Sequence, residues 1–120
     1  MRNWAAKYVG APADKTLAGN CLGLVREVLR TEFGKEFPGF LGAMRDAKDG
    51  KALPCTETKV LKDGVLVMCG NDVYPARHVG IYCKAVDRVV HAVTEEKIVR
   101  AEPLWRLRQE WARVALFAVD

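Results

Sequence analysis

Cys21, His78 and His91 are the side chains on which chemistry is most readily built in this sequence. Cys21 follows Asn20, a good N-cap, and opens a segment in which Leu22, Val25, Leu29 and Phe33 recur at near-helical spacing, with Leu24 and Val28 widening the stripe. A cysteine there lies among unpaired backbone N–H groups at the positive end of the helix dipole. Such thiols can titrate several units below the free value of about 8.5, which makes them ready nucleophiles. Cysteine is equally a common core filler, and that alternative stands beside the chemical one. His78 and His91 are the only histidines, separated by 91 − 78 = 13 positions, and each falls within or at the start of an apolar run of strand length. A hairpin turning near Asp87-Arg88 would let the two rings project from neighbouring strands on one face and meet. A thiol, one imidazole as base and a second ring to orient it form the arrangement of nucleophilic catalysis. Zinc binding from Cys55, Cys69, Cys83, His78 and His91 is the other chemistry these residue types allow, although no pair has the close spacing typical of zinc ligands.

The elements that must position these groups follow from pattern. Asn3 is placed to cap a short helix through Tyr8 that Gly10-Ala11-Pro12 breaks, and a loop leads to Asn20. The main helix ends at Gly34, and a second short helix is expected over Phe40 to Lys48, closed by Asp49-Gly50. Beyond Pro54 the pattern shortens to strands: Val65 to Cys69, His78 to Cys83 and Val89 to Val93, each bounded by turn-forming residues. Lys97 to Ala101 is a fourth strand, Pro103 to Glu110 a helix opening on proline, and Val114 to Val119 a last strand. Helices followed by strands imply an α+β fold, a small antiparallel sheet with the helices packed on one side.

The 120 residues, half of them apolar, amount to one domain able to bury a core, which excludes disordered and collagen-like chains. Nineteen Lys and Arg against fifteen Asp and Glu leave a net charge of +4, scattered without a basic stripe, so nucleic acid is not an expected partner. Lys7, Asp14 and Lys15 interrupt the stretch in which a secretory apolar core would lie. The apolar runs Val65–Cys69 and Val114–Val119 are each about one strand long, far from the roughly 18 residues a membrane helix needs. A soluble chain made in the cytoplasm without a signal peptide, carrying four free thiols, is expected.

Tyr8-Val9-Gly10-Ala11-Pro12, Asn20-Cys21-Leu22-Gly23-Leu24-Val25-Arg26, Arg77-His78-Val79-Gly80-Ile81-Tyr82 and Val89-Val90-His91-Ala92 stand in an order that resembles the motifs of the NlpC/P60 cysteine peptidases over about residues 4 to 93. The resemblance is closest to the branch found in phage tail assembly proteins, where the cysteine helix runs on into a Phe-Gly and a proline, as Phe33-Gly34 and Pro38 do here. It implies a papain-like α+β fold and cleavage of peptide bonds in bacterial cell-wall peptides without cofactor or metal. It further implies Cys21 as nucleophile, His78 as general base, His91 as the residue that orients the base, and Tyr8 as an oxyanion donor beside the Cys21 backbone N–H. Peptidoglycan stem peptides are the implied partner, together with other phage tail proteins, and action at the wall would follow delivery by a phage particle or lysis. A structural tail protein that keeps the fold without the activity is the alternative.

Two departures accompany the resemblance. Cell-wall members commonly carry Asp-Cys-Ser-Gly, whose Asp and Ser help hold the free amine of the substrate, whereas Asn20 and Leu22 occupy those substrate-binding positions here. The family's Gly-Asp-Leu-Val ahead of the base strand is represented only by Asp63-Gly64-Val65-Leu66-Val67.

Overall fold

The computed structural model describes residues 2–13, 20–37, 55–73 and 77–120. The helix expected over Phe40 to Lys48 lies outside the described residues. Helix α1 spans Cys21–Phe33, and local chemistry sets both of its ends. Asn20 is extended, and its Oδ1 accepts a 2.7 Å hydrogen bond from the Gly23 N–H, satisfying one of the donors that a helix start leaves over. Gly34 stops the helix at φ +63°, a left-handed conformation that costs glycine nothing in side-chain clash. Between these ends Leu24, Val25, Val28 and Leu29 form the buried stripe.

Upstream, the expected helix is a single 3₁₀ turn, Trp4–Lys7, which Asn3 does not cap with its side chain. Trp4 anchors this turn instead. Its indole is buried edge-on against Phe33 and Tyr8, and its Nε1–H donates to Asp63 at 3.1 Å.

Among the described residues six strands form one antiparallel sheet: β1 Cys55–Thr58, β2 Leu66–Gly70, β3 His78–Cys83, β4 Arg88–Val93, β5 Ile98–Glu102 and β6 Arg113–Val119, ordered β1-β6-β2-β3-β4-β5. The expected neighbours β2, β3 and β4 are adjacent, with Cys69 opposite His78 and Ile81 opposite Val90. Asp87 closes the β3–β4 turn at φ +52°. The segment Gly10 to Ala13 exchanges backbone hydrogen bonds with Lys97 and Val99 and so covers the β5 edge. Strand β1 has no counterpart in the sequence-based expectation.

A second helix, α2 (Leu104–Glu110), follows β5 after Pro103. The two helices do not share one side of the sheet, contrary to expectation. Leu66, Val79, Ile81, Val90 and Val99 pack with the α1 stripe, whereas Val65, Val67, Cys69, Tyr82, Val89 and Leu116 pack with Leu107 of α2. The reason is visible in Leu66 to Cys69, an unbroken apolar run: alternation sends apolar side chains to both faces, and each face needs a cover. Among the described residues no helix is long and apolar enough to cross a membrane.

Candidate active site

The α2-side face carries the polar constellation. His78 begins β3 and His91 lies near the end of β4, at the same end of the sheet. One step past the Ile81–Val90 pair, the register sets His91 beside Gly80, so His78 and His91 are diagonal neighbours on one face. A Cβ on Gly80 would lie 2.6 Å from Val89 Cγ1 and 3.1 Å from His91 Cβ. The bare glycine is therefore what lets the β4 side chains lie close against β3. The two imidazoles meet edge to face, with His78 Nε2 2.7 Å from His91 Nδ1.

The contacts continue beyond the pair. His91 Nε2 lies 2.5 Å from Glu102 Oε2 at the end of β5, and the other Glu102 oxygen is 3.4 Å from Arg106 Nε on α2. Trp111, just after α2, stacks parallel to His78 with ring centroids 5.8 Å apart. His91 is almost wholly buried. Burial, reinforced by the neighbouring His91, pushes the His78 pKa down to about 4, with Glu95 and Glu102 pulling the other way. At neutral pH His78 is accordingly an uncharged ring with one lone-pair nitrogen.

Cys21 reaches this site from the opposite layer. Asn20, Cys21, His78, His91, Glu102 and Trp111 all line one pocket of about 570 Å³ at the end of the sheet. Cys21 is only half-buried, whereas Cys55, Cys69 and Cys83 are buried, and all four thiols are free. Burial pushes the Cys69 thiol up to about 12 and also raises that of Cys55. Cys21 is thus the thiol placed to meet a ligand. Among the described residues no group of three His, Cys, Asp or Glu side chains could hold a metal ion.

The structure brings Cys21, His78, His91 and Asn20 together but not Tyr8 or Leu22. Leu22 packs against the core on the α1 side. Tyr8 donates its hydroxyl to Glu32 at 2.9 Å, and burial together with that bond raises its pKa to about 12. Glu32 lies eleven residues beyond Cys21 in α1 (32 − 21), about 16 Å along the axis at 1.5 Å per residue. The oxyanion role implied for Tyr8 is therefore not supported by its position: the tyrosine is tied to the far end of the helix. Glu102 and Trp111 escaped the sequence reading. Glu102 lay one residue past the expected end of its strand, although its alternation with Arg100 would have placed both on the His91 face. Compared with known proteins, the chain matches no family model, no curated sequence and no solved structure.

Proposed function

We propose that this domain is a thiol hydrolase of bacterial cell-wall peptides, a papain-like enzyme of the NlpC/P60 kind associated with a phage or prophage tail. The observation that carries the proposal is the opening of Cys21, at the capped start of α1, onto the same pocket as a neutral His78 whose far nitrogen is held by His91. His78 Nδ1 takes the thiol proton as sulfur attacks the amide carbonyl carbon. The oxyanion then faces the N–H groups at the start of α1, and a donor of that kind is worth about 3 kcal/mol of barrier. The His78 imidazolium returns its proton to the leaving amine, which leaves a thioester. A water deprotonated by His78 then releases the acid and restores the thiol. His91 keeps the His78 ring in plane through each proton transfer. No cofactor enters the sequence of steps, and the pocket takes a stem peptide rather than nucleic acid or lipid.

Digestion of purified muropeptides, with product masses read for wild type and Cys21→Ala, tests the proposal. New fragments from wild type alone are expected, while equal product from the alanine variant would remove Cys21 as nucleophile. Alkylation separates this function from that of a structural tail component. Iodoacetamide should label Cys21 ahead of Cys55, Cys69 and Cys83 at neutral pH. Even labelling with no muropeptide cleavage would favour the structural component.

A further inference from the structure

We infer that Glu102 is a positioning residue that dictates, through His91, which nitrogen of His78 carries the proton, and so keeps Nδ1 of His78 free to act as the base; the catalytic part of this inference rests on the hydrolase proposal above. An ionised carboxylate only accepts hydrogen bonds, so the 2.5 Å contact places the His91 proton on Nε2. A neutral imidazole protonated on Nε2 has its lone pair on Nδ1, and that atom is 2.7 Å from His78 Nε2. With His91 neutral, His78 donates from Nε2, which leaves the lone pair on its own Nδ1. The two tautomers are thereby settled in series by one carboxylate on β5.

The surroundings hold that carboxylate in place. Its second oxygen faces Arg106 of α2, which also reaches Glu110 at 3.6 Å, and the Glu102 side chain is only 17% exposed. His91 is almost wholly buried, and each of its ring nitrogens already faces a protein partner, His78 on one side and Glu102 on the other. The low pKa of His78 agrees with a ring that donates from one nitrogen and accepts at the other rather than one protonated on both. Without Glu102 either His91 tautomer is open. The form protonated on Nδ1 would donate to His78 Nε2 and force the His78 proton onto Nδ1, which abolishes the base.

Long-range ¹H–¹⁵N correlation spectra of the ¹⁵N-labelled protein at pH 7 read both tautomers directly, without any substrate. Both rings are expected in the Nε2–H form in wild type. In Glu102→Leu, close in volume but without an acceptor, His91 should lose the pure Nε2–H signature. Activity on a cleavable muropeptide should fall about 100-fold with the fold retained. A wild-type His91 or His78 protonated on Nδ1 overturns the inference whether or not the variant folds. Unchanged ring signals in a folded Glu102→Leu overturn it as well. Expected spectra in a protein that cleaves no muropeptide would uphold the tautomer relay and reject the hydrolase proposal.

Discussion

Gly80→Ala perturbs both the packing and the chemistry of the site through a single carbon. The added Cβ would lie 2.6 Å from Val89 Cγ1, 3.1 Å from His91 Cβ and 3.1 Å from the Val90 carbonyl oxygen. Two of these three neighbours are fixed to the β4 backbone, so they move only if the β3–β4 pairing moves. The third belongs to a β-branched, fully buried valine with few rotamers to choose from. Overpacking of this kind costs about 1–3 kcal/mol. Alanine recovers about 0.5–1 kcal/mol of the chain entropy that glycine loses in a strand. The net expectation is a loss of about 1–2 kcal/mol.

For a chain of this size that loss lowers Tm by about 4–8 °C, at about 4 °C per kcal/mol. Calorimetry or a denaturant titration at neutral pH measures it. The same displacement pushes His91 away from β3 and lengthens its contact with His78. A misplacement of about 1 Å at a catalytic group lowers kcat/KM by roughly 100-fold. The rate should consequently fall further than the lost stability alone would cause, since a loss of 1–2 kcal/mol leaves most molecules folded. An alanine variant with wild-type Tm and wild-type rate would refute the claim that the glycine makes room for the histidine pair.

Three further outcomes follow from the described contacts. Asn20→Ala strands the Gly23 N–H at the start of α1 and should destabilise the fold by about 1 kcal/mol in a denaturant titration, an effect that Asn20→Ser should largely reverse. The unfolded His78 binds a proton near pH 6.5 and the folded one only near pH 4, so acid favours unfolding and stability falls between those two values. Wild type should lose up to about 3 kcal/mol over that window relative to His78→Gln, and parallel stability curves for the two would contradict it. Substrates differing only in a free or acylated first alanine should give kcat/KM values within about tenfold of each other. Asn20 Oδ1 is engaged by Gly23, Leu22 packs on the core, and the exposed Glu95 at the pocket offers a substrate ammonium at most about 1 kcal/mol. A preference above roughly 100-fold for the free amine would contradict that outcome.

What the sequence made legible depends on how far each decision reaches along the chain. Asn20 and Gly34 act within a turn of themselves, so both ends of α1 were readable. The β3–β4 hairpin joins strands only four residues apart, which is why thirteen positions sufficed to bring His78 to His91. Strand β1, by contrast, is Cys-Thr-Glu-Thr, with no apolar alternation to announce it, and its pairing is with β6, where Cys55 faces Val119, 119 − 55 = 64 positions along the chain. Tyr8 shows the same limit for a site residue. A motif places it upstream of Cys21, yet its hydroxyl is claimed by Glu32, a partner 24 positions away that no local pattern selects.

Glu102 marks the boundary between these cases. Once the β4–β5 pairing is known, with Val89 opposite Glu102 and His91 opposite Arg100, alternation puts Glu102 on the histidine face, two positions from the residue opposite His91. The information is therefore local to a second hairpin, and a strand ended one residue early was enough to lose it. Two successive hairpins align His78, His91 and Glu102 on one face, and α1 brings Cys21 to the pocket that this row lines. The proposed base, with its tautomer set two side chains away, then needs only these short-range pairings within the sheet, and among the described residues α1 is the element that arrives from the other layer.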